Sequence, residues 1–212
     1  MTHKRSNYKR TSDALIIFTR NIELGKCKKR LAKVIGAHAA LKVYIELTER
    51  SCTVTDALDI DRYVFYSEEV VRGDSWDDKV YIKFKQKGQD LGTRMGNAFQ
   101  ALFNMGYERI VIIGTDLPNL SVEIIRNAFL SLESNDYTIG PSEDGGYYLL
   151  GMNKMNSSIF VNKTWGGENV LKDTLSEMGG ERVFLLKKLN DVDTYEDLKE
   201  HESLMNLCIK NE

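Results

Sequence analysis

Proline is nearly absent from this sequence: Pro118 and Pro141 are the only two in 212 residues. Their scarcity excludes a proline-rich linker or a collagen-like segment. Cysteine is scarce too. Cys27, Cys52 and Cys208 are odd in number, widely spaced and form no CxxC pair. That pattern points away from a zinc site or a disulfide framework and towards a reducing, cytoplasmic setting. Net charge is only −2, so there is no global nucleic-acid footprint. The apolar run that follows the basic N-terminus, Ala14 to Phe18, is too short for a signal-peptide core or a membrane span. GxxxxGKS/T, GxGxxG and GxSxG are all missing, which removes the Walker A loop, the dinucleotide fingerprint and the nucleophile elbow.

What is present suits a folded α/β chain. Hydrophobic residues make up 42% and charged residues 28%, ordinary values for a globular protein. The length fits one domain; residues 1–12 read as a basic tail and 13–212 as the domain. Ala14–Phe18, Arg62–Tyr66, Val80–Phe84 and Arg109–Gly114 read as strands, the first and last apolar enough to be buried on both faces. A helix is expected with Leu31, Val34, Ile35, His38, Leu41 and Ile45 on one face, His38 being a packed histidine. A second presents Met95, Ala98, Phe99, Leu102 and Phe103, and a third, capped by Ser121, presents Ile124, Ile125, Ala128 and Phe129. Short strands are expected at 137–140 and 146–150, a helix at 168–178, a strand at 182–186 and a last helix opening at Thr194 with a capping box. Strands alternating with helices predict a mostly parallel sheet flanked by helices.

Charge is distributed unevenly along this frame. Between Arg20 and Lys33, six Lys or Arg face Glu23 alone; from Asp191 to Glu212, seven acids face Lys199 and Lys210. The basic stretch Gly25-Lys-Cys-Lys-Lys-Arg30 lies between the first strand and the first helix, where cations, backbone amides and a helix N-terminus suit a pyrophosphate. Lys28 and Arg30 are the expected phosphate contacts. Asp116 follows the strongest strand, and ligands of open α/β sheets bind outside such strand ends. A carboxylate there can hold Mg²⁺ or Mn²⁺, or simply cap the turn at Pro118. Glu143 and Asp144, within Gly140-Pro-Ser-Glu-Asp-Gly-Gly146, can bind metal, act as a general base or belong to a plain hairpin turn. Asp191 and Asp193 alternate in an extended segment and point the same way.

Taken in order, Gly25-x-x-Lys-x-Arg-Leu31, Gln86 with Asp90-Leu-Gly-Thr-Arg-Met95, Gly114-Thr-Asp-Leu-Pro118, Gly140-Pro-Ser-Glu-Asp-Gly-Gly-Tyr-Tyr148, Trp165-Gly and Asp191-Val-Asp-Thr194 resemble a small bacterial family of GT-A-fold nucleotide-diphospho-sugar transferase-like proteins. Its members are also called selenodomain-associated transferases or uncharacterised glycosyltransferases, and they look distantly like 2-phospho-lactate guanylyltransferase. The resemblance spans residues 14 to about 200. In the first loop, Arg20 stands in place of the family's lysine, Ile22 and Leu24 in place of prolines, and Lys29 in place of threonine.

The resemblance implies a single Rossmann-like GT-A domain, the nucleotide-diphospho-sugar transferase fold. It implies a nucleotide donor held by Arg20, Gly25, Lys28, Arg30, Asp90 and Arg94, with a divalent metal, Mg or Mn, on Asp116 and Asp193. Asp144, or Glu143, would act on the acceptor, and Gly145, Gly146, Tyr147 and Trp165 would line its pocket. The expected activity is metal-dependent glycosyl transfer from a nucleotide-diphospho-sugar to a small-molecule acceptor. The alternatives are nucleotidyl transfer from a nucleoside triphosphate to a phosphorylated small molecule, and nucleotide binding without catalysis on the same scaffold.

Overall fold

The structure, a computed structural model, describes residues 11–209. Residues 1–10 of the expected basic tail lie outside it. Thr11 and Ser12 are already tied to the fold: the Ser12 carbonyl accepts from the Glu108 and Arg109 amides.

Seven strands form one sheet: β1 (Asp13–Thr19), β2 (Asp61–Tyr66), β3 (Tyr81–Lys85), β4 (Arg109–Ile113), β5 (Tyr137–Pro141), β6 (Tyr147–Met152) and β7 (Val183–Leu185). Their spatial order is β3-β2-β1-β4-β6-β5-β7. Every neighbouring pair is parallel except those involving β6, which runs against β4 and β5. The reversal follows from the short connection at 142–146, since a few residues can close a hairpin but cannot make a parallel crossover. The helices are α1 (Lys29–Ile35), α2 (Ala37–Asp56), α3 (Leu91–Asn104), α4 (Val122–Ser131), α5 (Val170–Glu177), α6 (Tyr195–Lys199) and α7 (Glu202–Ile209).

The continuous apolar strands divide two cores between them, because successive side chains point to opposite faces. Leu15 and Ile17 of β1 and Val111 and Ile113 of β4 pack on one side with Ile125 and Phe129 of α4. Ala14, Ile16, Ile110 and Ile112 pack on the other with Met95, Phe99 and Leu102 of α3. A third cluster joins Leu31, Ala40, Val43 and Leu47 to Val192, Leu198 and Leu204. It presses the acidic C-terminal segment against the basic first loop.

The first helical region departs from expectation. The chain breaks at Gly36 (φ 83, ψ 157) into α1 and α2. That break shifts the phase of the apolar face, so Val34 is 62% exposed and His38 is exposed. The buried face of α2 is Ala40, Val43, Tyr44 and Leu47. The last helix is likewise two, α6 and α7, although its capping box is present: Asp197 N–H donates to Thr194 Oγ1, and the Asp197 carboxylate accepts from Thr194 N–H.

Chain order creates the site. From β1 the chain crosses to β2 on one side, while β4 lies on β1's other side. Between the carboxyl ends of β1 and β4 the sheet therefore has a topological switch point, where ligands of open α/β sheets bind.

Candidate functional site

At that switch point lies a cleft of about 790 Å³. Arg20 enters it just after β1, Asp116 just after β4, Asp144 and Gly146 from the β5–β6 hairpin, and Asp191 and Asp193 from the segment after β7. Tyr44 of α2 ties the two central strand ends together. Its hydroxyl accepts from the Arg20 amide at 2.8 Å and lies 3.1 Å from Thr19 Oγ1 and 3.2 Å from Thr115 Oγ1.

The first loop delivers a lysine inward. Lys28 adopts a left-handed conformation (φ 46, ψ 52) immediately before α1, a region where residues other than glycine are uncommon. Its side chain is only 5% exposed, and its Nζ lies 3.1 Å from Asp116 Oδ2 and 4.0 Å from Asp193 Oδ1. Arg30 reaches the other Asp193 oxygen at 3.2 Å. Asp116 and Asp193, 77 positions apart and both distant in sequence from Lys28, thus converge on one ammonium.

Electrostatics follow this geometry. Burial alone would lower the Lys28 pKa, yet Asp116 and Asp193 overcome it and hold the ammonium above its ordinary range. Burial would raise the Asp116 carboxyl, but Lys28 outweighs it and keeps Asp116 ionised. Asp191 goes the other way: burial, then the charge of Asp116, push it up to about 6.

The β5–β6 hairpin supplies the opposite wall. Ser142 Oγ donates to Asp144 Oδ1, which also accepts from the Gly146 amide at 2.9 Å, so this exposed carboxylate is oriented by its own turn. Gly145 (φ 89) is packed so closely that a Cβ would stand 2.0 Å from the Glu168 carbonyl oxygen. Its role is to seat the hairpin on the segment before α5. Tyr147 and Trp165 line the cleft. Trp165 is held over the first turn of α3 because Gly92 has no side chain; a Cβ there would lie 2.5 Å from the indole.

Four expected contacts are not among the residues lining the cleft: Gly25, Asp90, Glu143 and Gly145. Gly25 turns the loop with φ 76. Asp90 is occupied as the N-cap of α3, accepting from the Thr93 amide at 2.9 Å and its hydroxyl at 2.7 Å. Glu143 is exposed. Arg94 does line the cleft; its Nε donates to the Gly88 carbonyl at 3.0 Å, and its NH1 lies 3.4 Å from Gln86 Oε1. Gln86 is itself buried, donating to the Phe65 carbonyl at 2.9 Å. Sequence reasoning gave Tyr44 no role, because a tyrosine at a core-facing helix position carries no signal of its hydroxyl partners.

Among the described residues, no three His, Cys, Asp or Glu side chains are grouped for metal binding. The donor set nonetheless fits a hard divalent cation completed by phosphate oxygens. Asp116 and Asp193 are 40% and 37% exposed towards the cleft, and they already share a cation there. Mg²⁺ is commonly held by one or two carboxylates plus substrate phosphates.

Comparison with known proteins adds to this picture. No curated protein matches the chain. Among solved structures, a Desulfovibrio desulfuricans G20 protein described as a candidate nucleotide-diphospho-sugar transferase is similar at 28% identity and TM-score 0.82, over 92% of this chain and 97% of that one. A cytidylyltransferase from Leptospira borgpetersenii shares the fold at 14% identity and TM-score 0.55, over 89% and 84%. So does Rv0371C of Mycobacterium tuberculosis H37Rv, solved in complex with manganese, at 13% identity and TM-score 0.51, over 90% and 97%. The seven-stranded sheet is therefore that of the nucleotide-diphospho-sugar transferase fold. One family model matches residues 50–167, more than half the chain, and by that match the chain belongs to the bacterial family described as "uncharacterized protein conserved in bacteria (DUF2064)".

Proposed function

We propose that this protein is a metal-dependent glycosyltransferase that moves a sugar from a nucleotide-diphospho-sugar to a small-molecule acceptor. The observation that carries this reading is the meeting of Lys28, Asp116 and Asp193 at the switch point between β1 and β4. Arg20, Lys28 and Arg30 would bind the diphosphate. Asp116 and Asp193 would hold Mg²⁺ or Mn²⁺, which supplies charge stabilisation to the departing diphosphate. Asp144 would accept the proton of the acceptor hydroxyl as its oxygen bonds to the anomeric carbon. The bond from that carbon to the diphosphate oxygen breaks, and a nucleoside diphosphate leaves. Tyr147 and Trp165 would bound the acceptor side and restrict water.

Several observations support this reading. The similar Desulfovibrio protein carries the nucleotide-diphospho-sugar description, and the Rv0371C complex contains manganese. The three cysteines are free, as a cytoplasmic enzyme's would be. No described helix is long and apolar enough to cross a membrane. A second reading, nucleotidyl transfer, is favoured by the buried Lys28 ammonium, which suits a reacting phosphoryl group as well as a leaving diphosphate.

Incubation with a panel of nucleotide-sugars and nucleoside triphosphates plus Mn²⁺, together with a set of hydroxyl- and phosphate-bearing small-molecule acceptors, tests both readings. Glycosyl transfer releases a nucleoside diphosphate; nucleotidyl transfer releases pyrophosphate. Release of neither from any member of the panel argues for the non-catalytic alternative.

A further inference from the structure

We propose that Lys28 is a built-in cation that keeps the Asp116–Asp193 site closed to free divalent ions until a donor diphosphate draws its ammonium away. Metal and donor would then bind as one unit. The inference rests on the reading of Asp116 and Asp193 as the metal ligands.

Position is the first argument. The Lys28 ammonium faces Asp116 Oδ2 at 3.1 Å and Asp193 Oδ1 at 4.0 Å. A divalent ion would need the same two carboxylates as ligands. It would therefore crowd a like charge already in place, an arrangement that disfavours both charged forms.

Charge balance is the second. Arg30 occupies the remaining Asp193 oxygen at 3.2 Å, so two carboxylates are matched by two cations. Asp191 is the further carboxylate beside Asp116 and Arg20 the further cation, so a free divalent ion meets no surplus negative charge around Asp116. A nucleoside diphosphate brings the missing charge. Its phosphates offer Lys28 and Arg30 new partners and release the carboxylates to the metal.

Mobility is the third. The Lys28 stem is flexible and its head is a point charge, whereas α1 beyond it is anchored by the fully buried Leu31. The ammonium can thus change partners while the helix stays in place. Arg30 is 68% exposed and free to turn towards phosphate.

The test is calorimetric titration of Mn²⁺ into wild type, Lys28→Met and Lys28→Gln. Each is titrated alone and with saturating UDP, GDP or CDP, and circular-dichroism melts confirm folding. Wild type should bind Mn²⁺ at least tenfold more tightly with a nucleoside diphosphate than without. Both variants should bind Mn²⁺ alone at least tenfold more tightly than wild type. If neither Lys28 variant folds, Arg30→Gln carries the test and should tighten Mn²⁺ alone about threefold. Mn²⁺ binding that is unchanged in the folded variants, or equally tight in wild type with and without nucleotide, overturns the gating role and leaves the metal site standing. Absence of Mn²⁺ binding in every protein and condition overturns the metal reading, and the gate with it.

Discussion

Two buried lysines, Lys28 and Lys83, each lie between a pair of aspartates, and they differ in how completely those aspartates are satisfied. Lys83 sits on β3, the edge strand, with no exposed side-chain surface; it is 2.8 Å from Asp74 and 2.9 Å from Asp78. Asp74 also accepts from the Tyr66 hydroxyl at 2.6 Å and from the Trp76 amide at 3.2 Å. Asp78 accepts from Arg72 at 2.9 Å and from the Gly73 amide at 3.2 Å. This closed cluster fastens the loop between β2 and β3 over the sheet edge, and an inward-pointing charge there also discourages pairing with another chain. Around Lys28 the contacts are longer and both carboxylates open on a cleft. The same charges thus build a staple where every oxygen has a partner, and a receptive site where partners are missing.

The comparison breaks first at Asp116. Asp116→Asn should lower turnover by at least ~10²–10³-fold with the fold intact, because it removes the anionic ligand and leaves the leaving group to Lys28 and Arg30. Steady-state rates with the donor found in the panel, across a Mn²⁺ titration, check it. Wild-type turnover in Asp116→Asn would place the chemistry elsewhere.

Lys83→Met should produce the opposite profile. Removing one member of a buried ion cluster typically costs ~3–5 kcal/mol, and about 3 is expected here because Asp78 still reaches solvent. Nucleotide affinity should stay unchanged. Urea melts and calorimetry on one preparation separate the two effects; a variant as stable as wild type would show that the staple does not hold the loop.

Smaller still is the expected effect of Lys28→Ala and Arg30→Ala on nucleotide binding. Each removes one charge-assisted contact and should weaken nucleoside diphosphate binding about tenfold, or about 1.4 kcal/mol. Arg30 is exposed, so its substitution should change stability by only about 0.5 kcal/mol. Undiminished affinity in both variants would reduce the basic loop to a solvated face.

The receptive site was more legible in the sequence than the staple. Ala14–Phe18 and Arg109–Ile113 are apolar without alternation, which marks strands covered on both faces. Once such strands are placed, the parallel-sheet rule directs attention to Asp116 past β4, the basic run before the first helix to Lys28, and the family resemblance to Asp193, and the structure brings these three together. Asp74, Asp78 and Lys83 carry no comparable signal. Two of them lie in a polar loop, and nothing in their spacing says that the loop folds back over its own strand. A single glycine inside a helical pattern is ordinarily tolerated, so nothing in the sequence marks Gly36 as the point where the phase resets. The resemblance implies a donor contact at Asp90, yet an aspartate just before Leu91 is also an N-cap signature. Local capping claimed that carboxylate, and a motif read for its charge alone cannot distinguish the two uses.

The comparison sharpens last through pH, where the two regions have opposite signs. Lys83 and Arg72 hold Asp78 down at about 2. A depressed carboxyl stabilises the fold above its unfolded pKa, ~3.9, and that contribution is lost as pH falls through about 2. Burial and the Asp116 charge push Asp191 up to about 6. A raised carboxyl contributes stability that is complete below ~3.9 and is lost as pH rises through about 6. At pH 7 the metal-free protein therefore carries an Asp191 charge that its surroundings resist. Asp191→Asn should raise stability at pH 7 by about 1–2 kcal/mol, less than the full pKa difference implies because solvent screens this partly buried group. For a chain of this size that is a rise of roughly 2–8 °C in Tm. At pH 2, below both values, the two proteins should melt together, and at pH 4.5 only part of the difference should remain. Asp78→Asn should show the reverse, lowering Tm at pH 7 and having little effect near pH 2. Thermal melts of the three proteins in chelator, at pH 2, 4.5 and 7, decide the matter. An Asp191→Asn variant no more stable than wild type at pH 7 would mean that the Asp191 charge is already compensated, and that the cleft is as well satisfied as the staple.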